Sequence, residues 1–315
     1  MIHKNRKLFY VATGLVHSGA KAYDHDDAEV LALVNQIMKL NIPKNISEWF
    51  LRARTGQVEV NPYWPRGSAA AMACFFANDG YFDIDTCLSF FDSTGAMIDP
   101  IDSEDFRLWI SDLPKVISYF EETELMQALW EKYCRIVDSR ASKWDKSIKQ
   151  AIKAATDFFG ENLPEMSFSP NLFAAYNTDF VRIRSRITTI ASEPDVESIL
   201  HETLHIAVAV HRDKIIEFAK RNGLNDFANQ DKMIELGYMV DDTAVSISHA
   251  IEECFVRAMS VVLANKNDER LQAHAKYGFN SVPFIAIHFK EILPTADKLE
   301  SFINAVFIRI LNDKQ

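Results

Sequence analysis

Glycine and proline are scarce in this chain, 10 of each in 315 residues, which leaves room for long uninterrupted regular structure and excludes a low-complexity composition. Cysteine is scarcer still. Cys74, Cys87, Cys134 and Cys254 are far apart and form no C-x-x-C. That excludes a thiolate metal knot or a dense disulfide framework and predicts free, mostly buried thiols. Positive charge is in deficit, with 34 Lys and Arg against 44 Asp and Glu for a net charge of −10. A phosphate-backbone partner requires the opposite balance, so no nucleic-acid partner is expected. No apolar run reaches the roughly 18 residues of a membrane span, so no span is expected and the chain reads as soluble. Apolar side chains are plentiful, 48% of the residues with 22 Phe among them. That supports a sizeable core, in one two-lobed unit or in two domains.

The N-terminus admits two readings. Basic MIHKNRK, apolar LFYVATGLV and the small-residue AKA at 20–22 follow the order of an export leader. The apolar stretch is short and interrupted by Thr13 and Gly14, however, and a first β-strand is preferred, which slightly favours a cytoplasmic location over a secreted or periplasmic one. Residues 27–40 carry apolar side chains at helical spacing, and further helices are predicted around 68–78, 103–120, 121–137 and 142–159. DIDTC at 83–87 has the look of a calcium loop but lacks its glycine and closing glutamate, and reads as a turn into a helix. Within DFVRIRSRITTIA, Val181, Ile183 and Ile187 alternate with Arg182, Arg184 and Arg186, the pattern of a half-exposed strand near a sheet edge. The predicted fold class is α+β, mostly helical, with a mainly helical lobe over 1–160 and a second lobe over 161–315 that carries a small sheet and C-terminal helices.

The chemistry-bearing stretch is SILHETLHIAVAV, residues 198–210, an H-E-x-x-H pattern inside an apolar run. Ser192, the acid three residues later and Pro194 predict a helix start just before it, and Gly223 a stop well beyond. On that helix His201 and His205 lie only about 40° apart and can grip one metal ion, while Glu202 lies about 100° round, beside the ion. A histidine pair on an exposed face would have polar neighbours. Here Ile206 to Val210 are apolar all round, so the imidazoles are predicted to be buried and in need of partners. His211 falls off this face and reads as a core residue or an outer support.

Two histidines leave a catalytic zinc site one protein ligand short. Residues 246–264, SISHAIEECFVRAMSVVLA, form a second apolar helix with one polar stripe. Glu253 sits on that stripe with His249 and Arg257 about 40° to either side, whereas Glu252 lies about 100° away toward the flank. Glu253 is therefore the preferred third ligand. H-E-x-x-H followed 48 positions after its second histidine by a helical glutamate resembles the gluzincin class of zinc metallopeptidases. EECFVRA at 252–258 resembles more particularly the E-x-x-V-R-A segment of an uncharacterised bacterial family of zinc peptidases, its glutamate and arginine mapping onto Glu253 and Arg257. The resemblance spans about residues 165–285 and departs from better-known gluzincins in carrying arginine where many have aspartate. It implies a zincin-like lobe and a preceding edge strand, here 181–190, along which an extended substrate lies.

These readings converge on a zinc-dependent peptidase acting on a peptide or protein. Zn2+ is held by His201, His205 and Glu253, with Glu202 as general base. Tyr277 is the leading candidate to stabilise the oxyanion, ahead of His274, His249 and Arg257. The alternatives are an idle zincin-fold binding module and a zinc hydrolase of non-peptide amides. The intact Glu202 argues against the first, since holding a metal requires no base. The composition carries no signal of oligomeric state.

Overall fold

The computed structural model describes residues 1–19, 27–59, 66–78, 81–93, 100–173, 179–224, 227–236, 238–239 and 241–312. AKA at 20–22, which the alternative leader reading takes as a cleavage site, lies outside them. The structure is mostly helical with little sheet. It divides into two compact units, Met1–Lys146 with Glu165–Pro194 and Ser147–Pro164 with Asp195–Gln315. The boundary read at residue 160 falls within the second of these, and the strands after it group with the first.

In the first unit, helices α1 (Arg6–His17), α2 (Ala28–Ile37), α3 (Lys44–Glu59) and α4 (Arg66–Ala73) precede the small hairpin β1 (Ala77–Asn78) and β2 (Tyr81–Phe82). Helices α5 (Ile84–Ser93), α6 (Pro100–Ser111) and α7 (Leu113–Glu122) follow, and then α8 (Glu124–Phe159), which belongs to this unit as far as Lys146 and to the second beyond it. Where a first strand was expected, the chain forms α1, whose first turn is capped by the Asn5 side chain accepting from the Leu8 amide. Leu8 to Gly14 and Val16 are all buried, so the segment has no polar face to display a helical period. The residues just before it are extended instead: the His3 amide donates to the Phe168 carbonyl at 2.7 Å, and the Phe168 amide to that of Met1 at 2.9 Å. DIDTC does open a helix, with Asp83 accepting from the Thr86 amide. The helices expected at 121–137 and 142–159 are one, the 36-residue α8. It contains neither glycine nor proline, so the polar stretch DSRAS bends nothing and merely faces outward in part.

The main sheet has the order β3 (Glu165–Pro170), β5 (Arg186–Ala191), β4 (Asp179–Ile183), with β3 parallel and β4 antiparallel to β5. The single strand expected over 181–190 is therefore a hairpin. Ile183 pairs with Arg186, leaving Arg184 and Ser185 as a two-residue turn in which Arg184 adopts a φ of 55°. No Asn-Gly or Asp-Gly marks this turn, and the alternation runs through it unbroken, which hid it from the pattern. β5 is central and paired along both sides, so it has no backbone edge to offer an extended peptide. Of residues 181–190, only those in β4 lie on an outer strand of the described sheet.

In the second unit, α9 (Val196–Ala209), α10 (Arg212–Asn222), α11 (Gln230–Glu235), α12 (Ala244–Leu263), α13 (Asp268–Lys276), α14 (Val282–Ile292) and α15 (Leu299–Asn312) surround α12, against which α9, α10 and α14 all pack. Ala250, Ile251, Cys254, Phe255, Val256, Ala258, Met259 and Val261 of α12 are buried. Its floor is aromatic: Phe307 stacks on Phe218 with centroids 4.1 Å apart, and Phe255 meets Phe227, Phe302 and Phe307. Such clusters exclude water and fix the helices in one register. All four cysteines are free. Among the described residues no helix is long and apolar enough to cross a membrane.

Candidate metal centre

Helix α9 begins at Val196, and its cap is Asp195, whose carboxylate accepts from the amides of Glu197 and Ser198. Ser192, the expected cap, lies outside the helix with Pro194; a carboxylate directly at the N-terminus also meets the helix dipole, which favours Asp195. The helix ends at Ala209, and Gly223, with φ 64°, closes α10 rather than α9. His211 caps the start of α10 and is half-buried.

The two imidazoles leave α9 on one face, as their spacing requires. His201 Nε2 and His205 Nε2 lie 3.2 Å apart. Glu253 of α12 closes the triangle, its Oε1 3.2 Å from His205 Nε2 and its Oε2 3.6 Å from His201 Nε2. His201, His205 and Glu253 form a group whose ligand atoms all lie within 4.8 Å of one another. Ligands bound about 2.0 to 2.2 Å from a tetrahedral zinc ion stand about 3.3 to 3.6 Å apart, so this donor set fits such an ion. Glu253 Oε2 is buried and receives no aligned hydrogen bond, with Arg257 Nη2 3.0 Å away as its charge partner. Burial opposes ionisation of Glu253, but Arg257 and the histidines outweigh it and hold its carboxyl well below the ordinary range. Burial draws His201 down to about 4. His205, despite the same burial, is raised to about 10 by Glu252 and then Glu253. The proton that the two carboxylates attract therefore rests on His205 rather than His201.

A second layer surrounds these three. His205 Nδ1 donates to Glu252 Oε1 at 3.1 Å, and Arg212 donates to Glu252 Oε2 through Nε and Nη2 at 3.3 and 3.2 Å. Glu252, read from the helix wheel as a flank residue, is therefore buried against the second histidine. It places a carboxylate on the outer nitrogen of His205, a contact that fixes the orientation of an imidazole. Arg257 turns to Glu253, with Nη2 3.0 Å from Oε2. It also donates to the Tyr238 hydroxyl at 2.6 Å and lies 4.2 Å from the Phe279 ring centroid. His274, buried, stands 3.4 Å from Arg257 Nη1 and 3.2 Å from Glu197 Oε1. Glu197 also takes Arg270 at 2.9 Å.

Glu202 is buried beside this group, with only 8% of its surface exposed. The charges of Glu202 and Glu253 both act on Tyr238, whose hydroxyl burial pushes up to about 12. Tyr277, the expected oxyanion donor, instead caps the end of α13 with 62% of its surface exposed. Among the described residues, Tyr238 is a tyrosine next to the cluster. Its sequence neighbourhood, ELGYMVDD, has no helical period to aim it, and the sequence reading passed over it and Glu197. His249 is largely buried, and burial lowers its pKa, with Glu252 acting against and Arg212 with that shift. No family model, curated protein or solved structure matches this chain.

Proposed function

We propose that the chain is a zinc-dependent metallopeptidase with a zincin-like metal lobe, in which His201, His205 and Glu253 hold Zn2+ and Glu202 is the general base. The observation that carries this reading is the convergence of three ligand atoms within 4.8 Å, with a buried glutamate directly following the first histidine. Zinc, when bound, supplies Lewis acidity and brings the pKa of a water toward about 7. Glu202 accepts the proton released as water attacks a peptide carbonyl, then returns it to the leaving amine. Glu252 faces His205 Nδ1 and so turns Nε2 toward the metal position, where zinc would displace the Nε2 proton. The Tyr238 hydroxyl accepts from Arg257. It takes the oxyanion-stabilising role that the sequence reading gave to Tyr277.

The test pairs two substitutions. Glu253→Ala should strip stoichiometric zinc from protein purified without an affinity tag. Glu202→Gln should retain zinc and lose peptide-library turnover by a factor on the order of 10² to 10⁴. Zinc-loaded wild-type protein that cleaves neither peptides nor acyl-amide probes, and behaves as Glu202→Gln does, would favour the idle binding module. Cleavage of the amide probes alone would favour a non-peptide hydrolase.

A further inference from the structure

An arginine beside the ligand of a dication is electrostatically adverse, since two positive charges compete for one carboxylate. Arg257 is nonetheless buried there, with only 16% of its side chain exposed. It is held on several sides. The Phe279 and Tyr238 rings lie 4.2 and 5.3 Å from its guanidinium carbon. The Tyr238 hydroxyl accepts from Nη2 at 2.6 Å, and His274, itself anchored on Glu197 of the first turn of α9, stands at Nη1. What this framework fixes is the Glu253 carboxylate: Oε2 faces Arg257 at 3.0 Å and Oε1 faces His205 Nε2 at 3.2 Å. A glutamate side chain loses appreciable rotamer freedom when it ligates, and an immobilised guanidinium paired with one of its oxygens at 3.0 Å removes part of that freedom in advance.

Resting on the zinc reading above, we infer that Arg257 is the positioning residue of the third ligand, with Tyr238, Phe279 and the His274–Glu197 pair as its support. It holds Glu253 in its ligating rotamer before any ion arrives. A role through charge and a role through position predict opposite results. If charge alone mattered, removing Arg257 would tighten cation binding, and lysine would replace it without loss. Positioning demands weaker binding in both cases, because neither methionine nor lysine reproduces the planar guanidinium, its contact with the Phe279 and Tyr238 rings and its bond to the Tyr238 hydroxyl.

The experiment is competition of the full-length protein against a chelator for Zn2+, with circular dichroism and the melting temperature of the metal-free protein recorded alongside. Arg257→Met is expected to weaken zinc binding on the order of 10- to 100-fold, the usual effect of losing an outer support. Arg257→Lys should fall between it and wild type, and Tyr238→Phe, which removes one oxygen atom, should weaken binding several-fold. Arg257→Met that stays folded and binds zinc as tightly as wild type, or more tightly, overturns the inference while leaving the proposed function standing. Should Arg257→Met fail to fold, Tyr238→Phe decides, and unchanged affinity there overturns it. Wild-type protein that binds no zinc overturns both.

Discussion

Two adjacent glutamates show how much one residue step changes. Glu253 faces both imidazoles with its two oxygens, whereas Glu252 reaches the far nitrogen of His205 and is neutralised by Arg212. From sequence alone, substitution of Glu252 is expected to leave zinc content unchanged; with the structure in view, Glu252→Gln should keep one zinc per chain but weaken its affinity about 10- to 100-fold. Equal affinity of this variant and wild type in a chelator competition would refute the orienting role. Glu197 carries a pH prediction. Burial opposes its ionisation, but His274 and Arg270 outweigh it and hold its pKa below the ordinary 4.5. Its folded value is lower than its unfolded one, so its contribution is complete above pH 4.5 and is lost as pH falls through the folded value. The pKa of His274 is lowered by burial from 6.5, so acidification below that value also disfavours the fold. The stability gap between wild type and Glu197→Gln, from urea melts, should be widest near neutrality and close below pH 4.5. A gap that stays constant down to pH 3 would rule out this source.

At the scale of elements, two features depend on backbone detail. Gly14 lies on α1 where an added Cβ would stand 2.0 Å from the Phe50 ring, so α1 and α3 touch there because the side chain is missing. Gly14→Ala should cost about 1 to 3 kcal/mol of stability through overpacking, although alanine is the better helix former. In urea unfolding, Phe50→Leu should recover part of that loss, and strict additivity of the two changes would count against a direct clash. The hairpin at Arg184 and Ser185 shows what an alternating pattern conceals. Period two continues through a two-residue turn, so one long strand and two short antiparallel ones have the same signature. The merged α8 is the converse case, since polarity at 138–142 looked like a boundary although nothing in it breaks a helix.

For the molecule as a whole, the zinc reading predicts a linkage. An ion that binds the folded metal unit and not the unfolded chain adds about 2.7 kcal/mol at a free concentration 100 times its Kd. A chelator should lower the melting temperature of the wild type and leave that of Glu253→Ala unchanged. Equal melting of the wild type with and without chelator would count against native zinc binding.

The sequence by itself determined what a single helix can encode: the shared face of His201 and His205, Glu202 displaced from it, a second apolar helix bearing a polar stripe, and the mostly helical composition that 48% apolar residues and few glycines support. These follow from spacing and turn angle within one element. Contacts between elements depend instead on packing register, which no local pattern contains. Tertiary structure alone brought Glu252 to His205, set Tyr238 rather than Tyr277 beside the cluster, and closed β4 onto β5. It also buried α1 so completely that its helical period disappeared. A helix advertises its period only where it keeps a wet face, and a side chain finds its partner only once the helices have docked.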